Sequence, residues 1–142
     1  MKNQMLIVLV DDDPVFLKLL EIEFSELANC EVETYVTGEE CVENLSHKPD
    51  VIVLDYQLDG VERDVMNGLE TLDKIKAYNP EIPVIMLSAQ DKIDVAVNCM
   101  HHAAFDYVVK SETAFFRLKK IISTISETQH LKKQLDWYME KV

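Results

Sequence analysis

Three carboxylates in a row, Asp11-Asp12-Asp13, close one apolar run of this chain, and a single carboxylate, Asp55, closes another. Ser88 and Lys110 end two later runs in the same way, and Thr37-Gly38 ends a further one. Adjacent carboxylates that face a third repel one another unless a cation lies among them. An all-oxygen site with few protein ligands suits a hard divalent ion, Mg2+ or Mn2+ in its place, far better than zinc. A carboxylate nucleophile, such a metal, a lysine and a hydroxyl together form a set suited to phosphoryl transfer. The transition state spreads charge over the equatorial oxygens, so the protein has chiefly to place cations and donors around it.

Taken singly, each of these residues has an ordinary structural use. Asp13 before Pro14 reads as a helix N-cap followed by proline at the first helical position. Ser88 suits a cap of the helix after it, Lys110 a surface lysine at a strand end, and Asp55 a solvated loop start. Capping accounts for only one of the three consecutive aspartates, so Asp11 and Asp12 need another explanation. The chemistry requires a fold that brings these run ends to one edge.

The pattern supplies such a fold. Apolar runs at residues 5–10, 32–36, 51–54, 84–87 and 105–109 alternate with segments of helical period, the signature of a parallel sheet flanked by helices. The first, third and fourth runs are almost wholly apolar, as strands covered on both faces must be; the second alternates like an edge. Helical stripes are Phe16, Leu20, Phe24 and Leu27; then Leu69, Leu72 and Ile75; then Ile93, Val97 and Met100. A short helix is expected at 39–46, and a last one from near Thr113 burying Leu118, Ile121, Ile122 and Ile125. Right-handed crossovers then favour an α/β doubly wound five-stranded parallel sheet of order 2-1-3-4-5, with helices on both faces and a crevice beyond the carboxyl ends of the strands.

At 142 residues the chain fits one domain with a tail, since domains run about 100 to 200 residues. Hydrophobic residues at 48% and charged ones at 28% argue against disorder. The net charge of -12 repels a phosphate backbone and an anionic membrane alike, so no direct nucleic-acid or membrane partner is expected. No run approaches the roughly 20 apolar residues needed to span a bilayer, and the stretch after Lys2 ends in aspartates rather than at a cleavage site. The expected location is the cytoplasm. Cys30, Cys41 and Cys99 lack metal-site or disulfide spacing and read as reduced, mostly buried thiols.

With VLVDDDP, VIVLD, VIMLSA and DYVVK in order at the strand ends, residues 3–127 resemble the receiver domain of bacterial two-component response regulators, whose fold is flavodoxin-like. The resemblance implies that Asp55 is the phosphoacceptor and that Asp11 and Asp12 form the acidic pair. Asp12 would bind Mg2+ directly, Asp11 mostly through water, and the Gln57 carbonyl would add an oxygen. Ser88 and Lys110 would engage the phosphoryl group, Ser88 and Tyr107 would act as the switch, and Gln57 and Gln90 would tune hydrolysis. The implied donor is a sensor histidine kinase or a phosphotransfer protein. Transfer and later hydrolysis would be catalysed by the domain itself, a phosphoacceptor rather than a turnover enzyme.

Three departures from the family pattern stand out. The loop after Asp55 lacks the usual proline and is longer, so that residues 59–65 read as an insertion ahead of Met66-Asn67-Gly68. Ser111 follows Lys110 where the family usually has a cis proline; a cis bond without proline costs about 2.5 to 4 kcal/mol, so either packing holds it or the backbone is trans. Ala103-Ala104 stands where a glycine is common, implying an altered turn before the fifth strand.

The expected division is a receiver domain over 1–127 and a C-terminal helical extension or linker over 128–142. Leu131, Leu135, Tyr138 and Val142 share a stripe on that extension, but under two heptads do not specify a coiled coil. A homodimer through helix four, strand five, helix five or the C-terminal helix stays open, as does docking of the extension on its own domain. Two rival functions remain. A haloacid-dehalogenase-type phosphatase would use Asp11 as nucleophile within the Asp11-Asp12-Asp13 run, leaving Asp55 idle. A receiver-like module that binds partners without phosphate is the other.

Overall fold

The computed structural model describes residues 4–58 and 65–142. Five strands, β1 (Met5–Val10), β2 (Cys30–Tyr35), β3 (Val51–Asp55), β4 (Val84–Ser88) and β5 (Asp106–Val109), form one parallel sheet of order β2-β1-β3-β4-β5. Five α-helices connect and cover it: α1 (Pro14–Ser25), α2 (Gly38–Glu43), α3 (Gly68–Tyr78), α4 (Ile93–His101) and α5 (Ala114–Lys141). A short 3-10 helix, Leu45–His47, follows α2. The doubly wound architecture and strand order are those expected from the pattern of apolar runs.

Alternation along the strands divides the core in two. Val8 and Val10, Ile52 and Leu54, and Val84 and Met86 face one cluster with Leu72, Ile75 and Cys99, while Ile7 and Leu9, Val51 and Val53, and Ile85 and Leu87 face another with Leu20, Phe24, Leu118 and Ile122. Both faces of the central strands are therefore dry, which is why these runs carry almost no polar residue until they end.

Register decides what those ends share. Val10 pairs with Leu54, Asp55 with Leu87, and Ser88 with Val109. Asp11 and Asp55 consequently emerge level at the carboxyl edge, with Ser88 one residue and Lys110 two residues beyond them.

Helix α1 starts as its sequence requires: Asp13 accepts from Val15 N–H at 3.0 Å and Phe16 N–H at 3.3 Å, with Pro14 at the first position. Leu17, Leu20 and Phe24 are buried along it, while Phe16 and Leu27 of the expected stripe are half-buried. Helix α4 departs from expectation. Its stripe Ile93, Val97 and Met100 is 84%, 48% and 47% exposed, and the helix buries Cys99 instead, with Val95 half-buried. Val95 and Cys99 are also four apart, so α4 carries two apolar faces and packs through the one with smaller residues.

Residues 59–64 of the expected loop insertion lie outside the described residues. Its distal end is fixed, however: the Met66 N–H donates to Glu39 of α2 at 2.8 Å, and Asn67 and Glu70 form a capping box that starts α3. Ala103, before β5, has φ of 69° in the left-handed region, where a side chain crowds the backbone. Ala103 therefore holds, at a cost, the kind of conformation that glycine takes freely. The last helix runs unbroken to Lys141; beyond Ile125 its stripe residues Leu131, Leu135 and Tyr138 are exposed, and Gln129 reaches back to the Asp50 carbonyl at 3.2 Å. No helix among the described residues is long and apolar enough to cross a membrane.

Candidate functional site

The carboxyl edge of the sheet gathers an acidic cleft around one cation. Asp11 and Asp55 are buried, Asp12 is half-buried, and one oxygen from each lies within 4.8 Å of the others. Asp11 sits at the β1 end, with its N–H bonded to the Tyr35 carbonyl of β2 at 3.1 Å. Its Oδ1 accepts from the Asp13 N–H at 2.9 Å, so the turn that caps α1 also orients the first acid. Asp55 Oδ1 accepts from the Gln57 N–H at 3.2 Å, which turns the chain sharply after β3. Gly68 supports that turn from the other side, since a Cβ there would come within 2.6 Å of the Asp55 and Tyr56 carbonyl oxygens.

Lys110 reaches into the cleft. Its Nζ lies 2.9 Å from Asp11 Oδ2 and 3.5 Å from Asp55 Oδ1. Its own N–H donates to the Ser88 carbonyl at 2.7 Å, continuing the β4–β5 ladder one step past the strand. All peptide bonds among the described residues, the Lys110-Ser111 bond included, are trans; of the two alternatives, the backbone takes the one that needs no proline. A further neighbour went unnoticed in the sequence: the Phe16 ring, whose centroid is 4.8 Å from Lys110 Nζ.

The electrostatics follow from burial. Asp55 is pushed up from the ordinary 3.8 to about 7, first by desolvation and then by the Asp11 charge, with Lys110 and the Gln57 N–H opposing. Burial works against the charge on Lys110, but its hydrogen bond to Asp11 and the charges of Asp11 and Asp55 outweigh that, leaving its pKa above the usual lysine value. Three acids and one ammonium leave a surplus of negative charge, so the cleft has room for a further cation held by oxygen.

Ser88 is fully buried, and its Oγ accepts from the Gln90 N–H at 3.0 Å rather than capping α4, which begins only at Ile93. The Gln90 carbonyl accepts from the Tyr107 hydroxyl. Ser88, Gln90 and Tyr107 therefore form one hydrogen-bonded chain leading from the cleft to β5. Gln57 is exposed beside Asp55, and Gln90 is half-buried. Asp11, Asp12, Asp55 and Lys110 thus lie in the cleft with Gln57 beside it, and Ser88, Gln90 and Tyr107 lie along this chain, whereas Asp13 and Thr37 cap α1 and α2. The two overlooked contributors, Phe16 and Gly68, gave only the signals of a core aromatic and a helix-starting glycine.

A doubly wound sheet with an acidic, lysine-bearing cleft at its carboxyl edge is the architecture of a signal receiver domain. The model of the response regulator receiver domain matches residues 7–126, and this chain belongs to that family. It is 32% identical over 101 residues to the luminescence regulatory protein LuxO of Vibrio campbellii (strain ATCC BAA-1116), covering 70% of this chain and 21% of that one. It is 41% identical over 112 residues to the protein-glutamate methylesterase/protein-glutamine glutaminase of Bacillus subtilis (strain 168), covering 75% of this chain and 29% of the relative. The chain thus spans under a third of the length of these curated relatives. Among solved structures, the receiver domain of NtrX from Brucella abortus superposes with a TM-score of 0.75 at 28% identity, covering 86% of this chain and 98% of that one.

Proposed function

We propose that this receiver domain takes a phosphoryl group from a phosphohistidine, on a sensor histidine kinase or a phosphotransfer protein, onto Asp55. The observation that carries the reading is the placement of buried Asp55, with Asp11 and Asp12 oxygens within 4.8 Å and the Lys110 ammonium at 3.5 Å. In the transfer an Asp55 carboxylate oxygen attacks phosphorus, an O–P bond forms, and the P–N bond breaks with its electron pair leaving on the histidine nitrogen. Lys110 balances charge on the non-bridging oxygens, and Ser88 Oγ turns from Gln90 to donate to one of them. Asp11, Asp12, Asp55 and the Gln57 carbonyl would hold Mg2+, or Mn2+ in its place, which when bound neutralises the acids and polarises the phosphoryl oxygens.

The Ser88–Gln90–Tyr107 chain gives this event a route outward. Withdrawal of Ser88 Oγ frees the Gln90 N–H and changes what the Gln90 carbonyl presents to Tyr107. The surface next to that route is α4, β5 and the start of α5, with Ile93, Val97, Met100 and Phe116 exposed on it, and we assign partner contact, a second copy of the chain included, to that face. Gln57 and Gln90 flank the acceptor and set how readily water reaches the acyl phosphate. The setting is the cytoplasm, where phosphorelay donors and Mg2+ are available.

Incubation with Mg2+ and a small phosphodonor, followed by intact mass, tests the reading. One phosphoryl group on the wild type and none on Asp55→Asn is the expected result. An acyl phosphate found on Asp11 would restore the phosphatase reading, and no uptake at all would favour a phosphate-independent module.

A further inference from the structure

One turn of the chain sets two neighbours of the same ammonium. Asp11 Oδ1 holds the Asp13 N–H, and Asp13 in turn holds the Phe16 N–H. Phe16 is thereby fixed in the first turn of α1, half-buried and packed against the core cluster of Leu17, Leu20 and Phe24. From that position its ring takes Lys110 Nζ at 4.8 Å from the centroid, while Asp11 Oδ2 takes it at 2.9 Å. The distance is inside the range at which a ring quadrupole attracts an ammonium, and burial strengthens the attraction. The need for such a contact is plain from the other end of the lysine. The trans bond to Ser111 leads into a turn closed by the Ala114 N–H on the Ser111 carbonyl at 3.1 Å, and the flexible stem of a lysine does not aim itself.

The geometry points to Phe16 as a positioning residue for phosphoryl transfer: its ring face holds the Lys110 ammonium beside Asp55 before the phosphoryl group arrives. This rests on Asp55 being the acceptor. Lys110 stays protonated throughout; the bond made is O–P on Asp55, the bond broken is that between phosphorus and the donor, and the electron pair leaves with the donor.

A double-mutant cycle on the full chain decides it, with phosphorylation rates measured by intact mass using acetyl phosphate and Mg2+. Phe16→Leu keeps apolar bulk but removes the ring, and should slow the reaction about three- to thirtyfold. Phe16→Tyr should stay within about twofold, as it keeps the ring face. In a Lys110→Ala background, Phe16→Leu should cause no further slowing, because it acts through the absent lysine. A wild-type rate for Phe16→Leu, a Phe16→Tyr as slow as Phe16→Leu, or additive slowing with Lys110→Ala would each overturn the proposal. The Lys110 ε-methylene protons, followed by NMR without any phosphodonor, should be ring-shifted upfield in the wild type and Phe16→Tyr and released in Phe16→Leu. That measurement separates two failures. If the wild type takes up no phosphoryl group, the acceptor reading falls, while the ring shift still upholds the hold on Lys110 and its absence overturns it.

Discussion

Helices α1 and α4 each follow a strand end that contributes to the cleft, yet they are held very differently. Helix α1 has a side-chain cap, a proline at its first position and three buried apolar residues. Helix α4 has no side-chain cap, a single buried residue, Cys99, and an apolar face turned to solvent. The first belongs to the frame that keeps the acids in place; the second is held by fewer contacts, as the proposed route through Ser88, Gln90 and Tyr107 requires. Firm attachment sits where charge must be positioned, and weaker attachment sits where the proposed signal would leave.

The contrast is broken most forcefully from the α1 side. Phe24 is fully buried and meets Phe115 edge-on, with centroids 5.0 Å apart. Phe24→Ala should cost about 3–5 kcal/mol in urea unfolding, by lost transfer energy plus the cavity left behind. A loss under about 1 kcal/mol, the level of ordinary surface substitutions, would show that α1 is no firmer than α4.

Next in size is the cleft that α1 frames. In the folded chain Asp55 holds its proton to about 7, against 3.8 ordinarily. The folded state therefore binds more protons than the unfolded one between those values, and stability falls as pH rises through that window. Asp55→Asn removes the titration. In chelator-containing buffer the variant should be more stable than the wild type at pH 8, by about 2–4 kcal/mol at most. The gain should shrink as pH falls towards about 4, where the wild-type carboxyl is protonated. Mg2+ should stabilise the wild type at pH 8 more than the variant. A gap that does not vary with pH would mean that neither burial nor the Asp11 charge raises Asp55 in the folded chain.

These two regions also differ in how legibly the sequence announces them. The strand ends were readable because central strands dry on both faces exclude polar residues until they stop, so Asp11, Asp55 and Ser88 each mark a boundary, while Lys110 closes the short apolar end of the edge strand β5. Parallel register then carried them to one edge with little freedom left. The orientation of α4 was not readable, because Ile93-Val97-Met100 and Val95-Cys99 are both helical spacings, and only the width of the space beside the sheet selects the smaller pair. Phe16 escaped notice for a related reason. An aromatic on a core stripe gives no local sign of a cation brought to it from a strand almost a hundred residues later in the chain. The short helix ended earlier than expected, at Glu43, with Leu45–His47 closing as a 3-10 turn and Lys48 left-handed.

A smaller effect sharpens the comparison from the far end of α4. Ala103 holds φ of 69° in the exposed turn leading to β5. Glycine escapes the strain of about 1–2 kcal/mol that the left-handed region puts on alanine, and the added freedom of the unfolded chain costs about 0.4–1 kcal/mol, so Ala103→Gly should stabilise the fold by up to about 1 kcal/mol. Thermal melting reads this directly. A destabilised variant would mean that the alanine methyl makes a contact worth more than its strain.

The smallest expected effect on stability is the most telling for the route outward. Ile93 is 84% exposed, so Ile93→Ser removes no core contact and should change unfolding free energy by no more than about 0.5 kcal/mol. If the exposed face of α4 meets a partner, the same substitution should weaken that contact, because an apolar side chain buried at an interface contributes about 1.5–3 kcal/mol. The proper comparison is therefore a ratio: sedimentation of the phosphorylated chain, or binding of a purified kinase, set against urea stability for the same variant. Phosphorylation of Asp55 itself should be untouched, since Ile93 lies outside the cleft. A variant that loses stability instead would show α4 packed through Ile93 after all, and the division between a firm α1 and a lightly held α4 would fail.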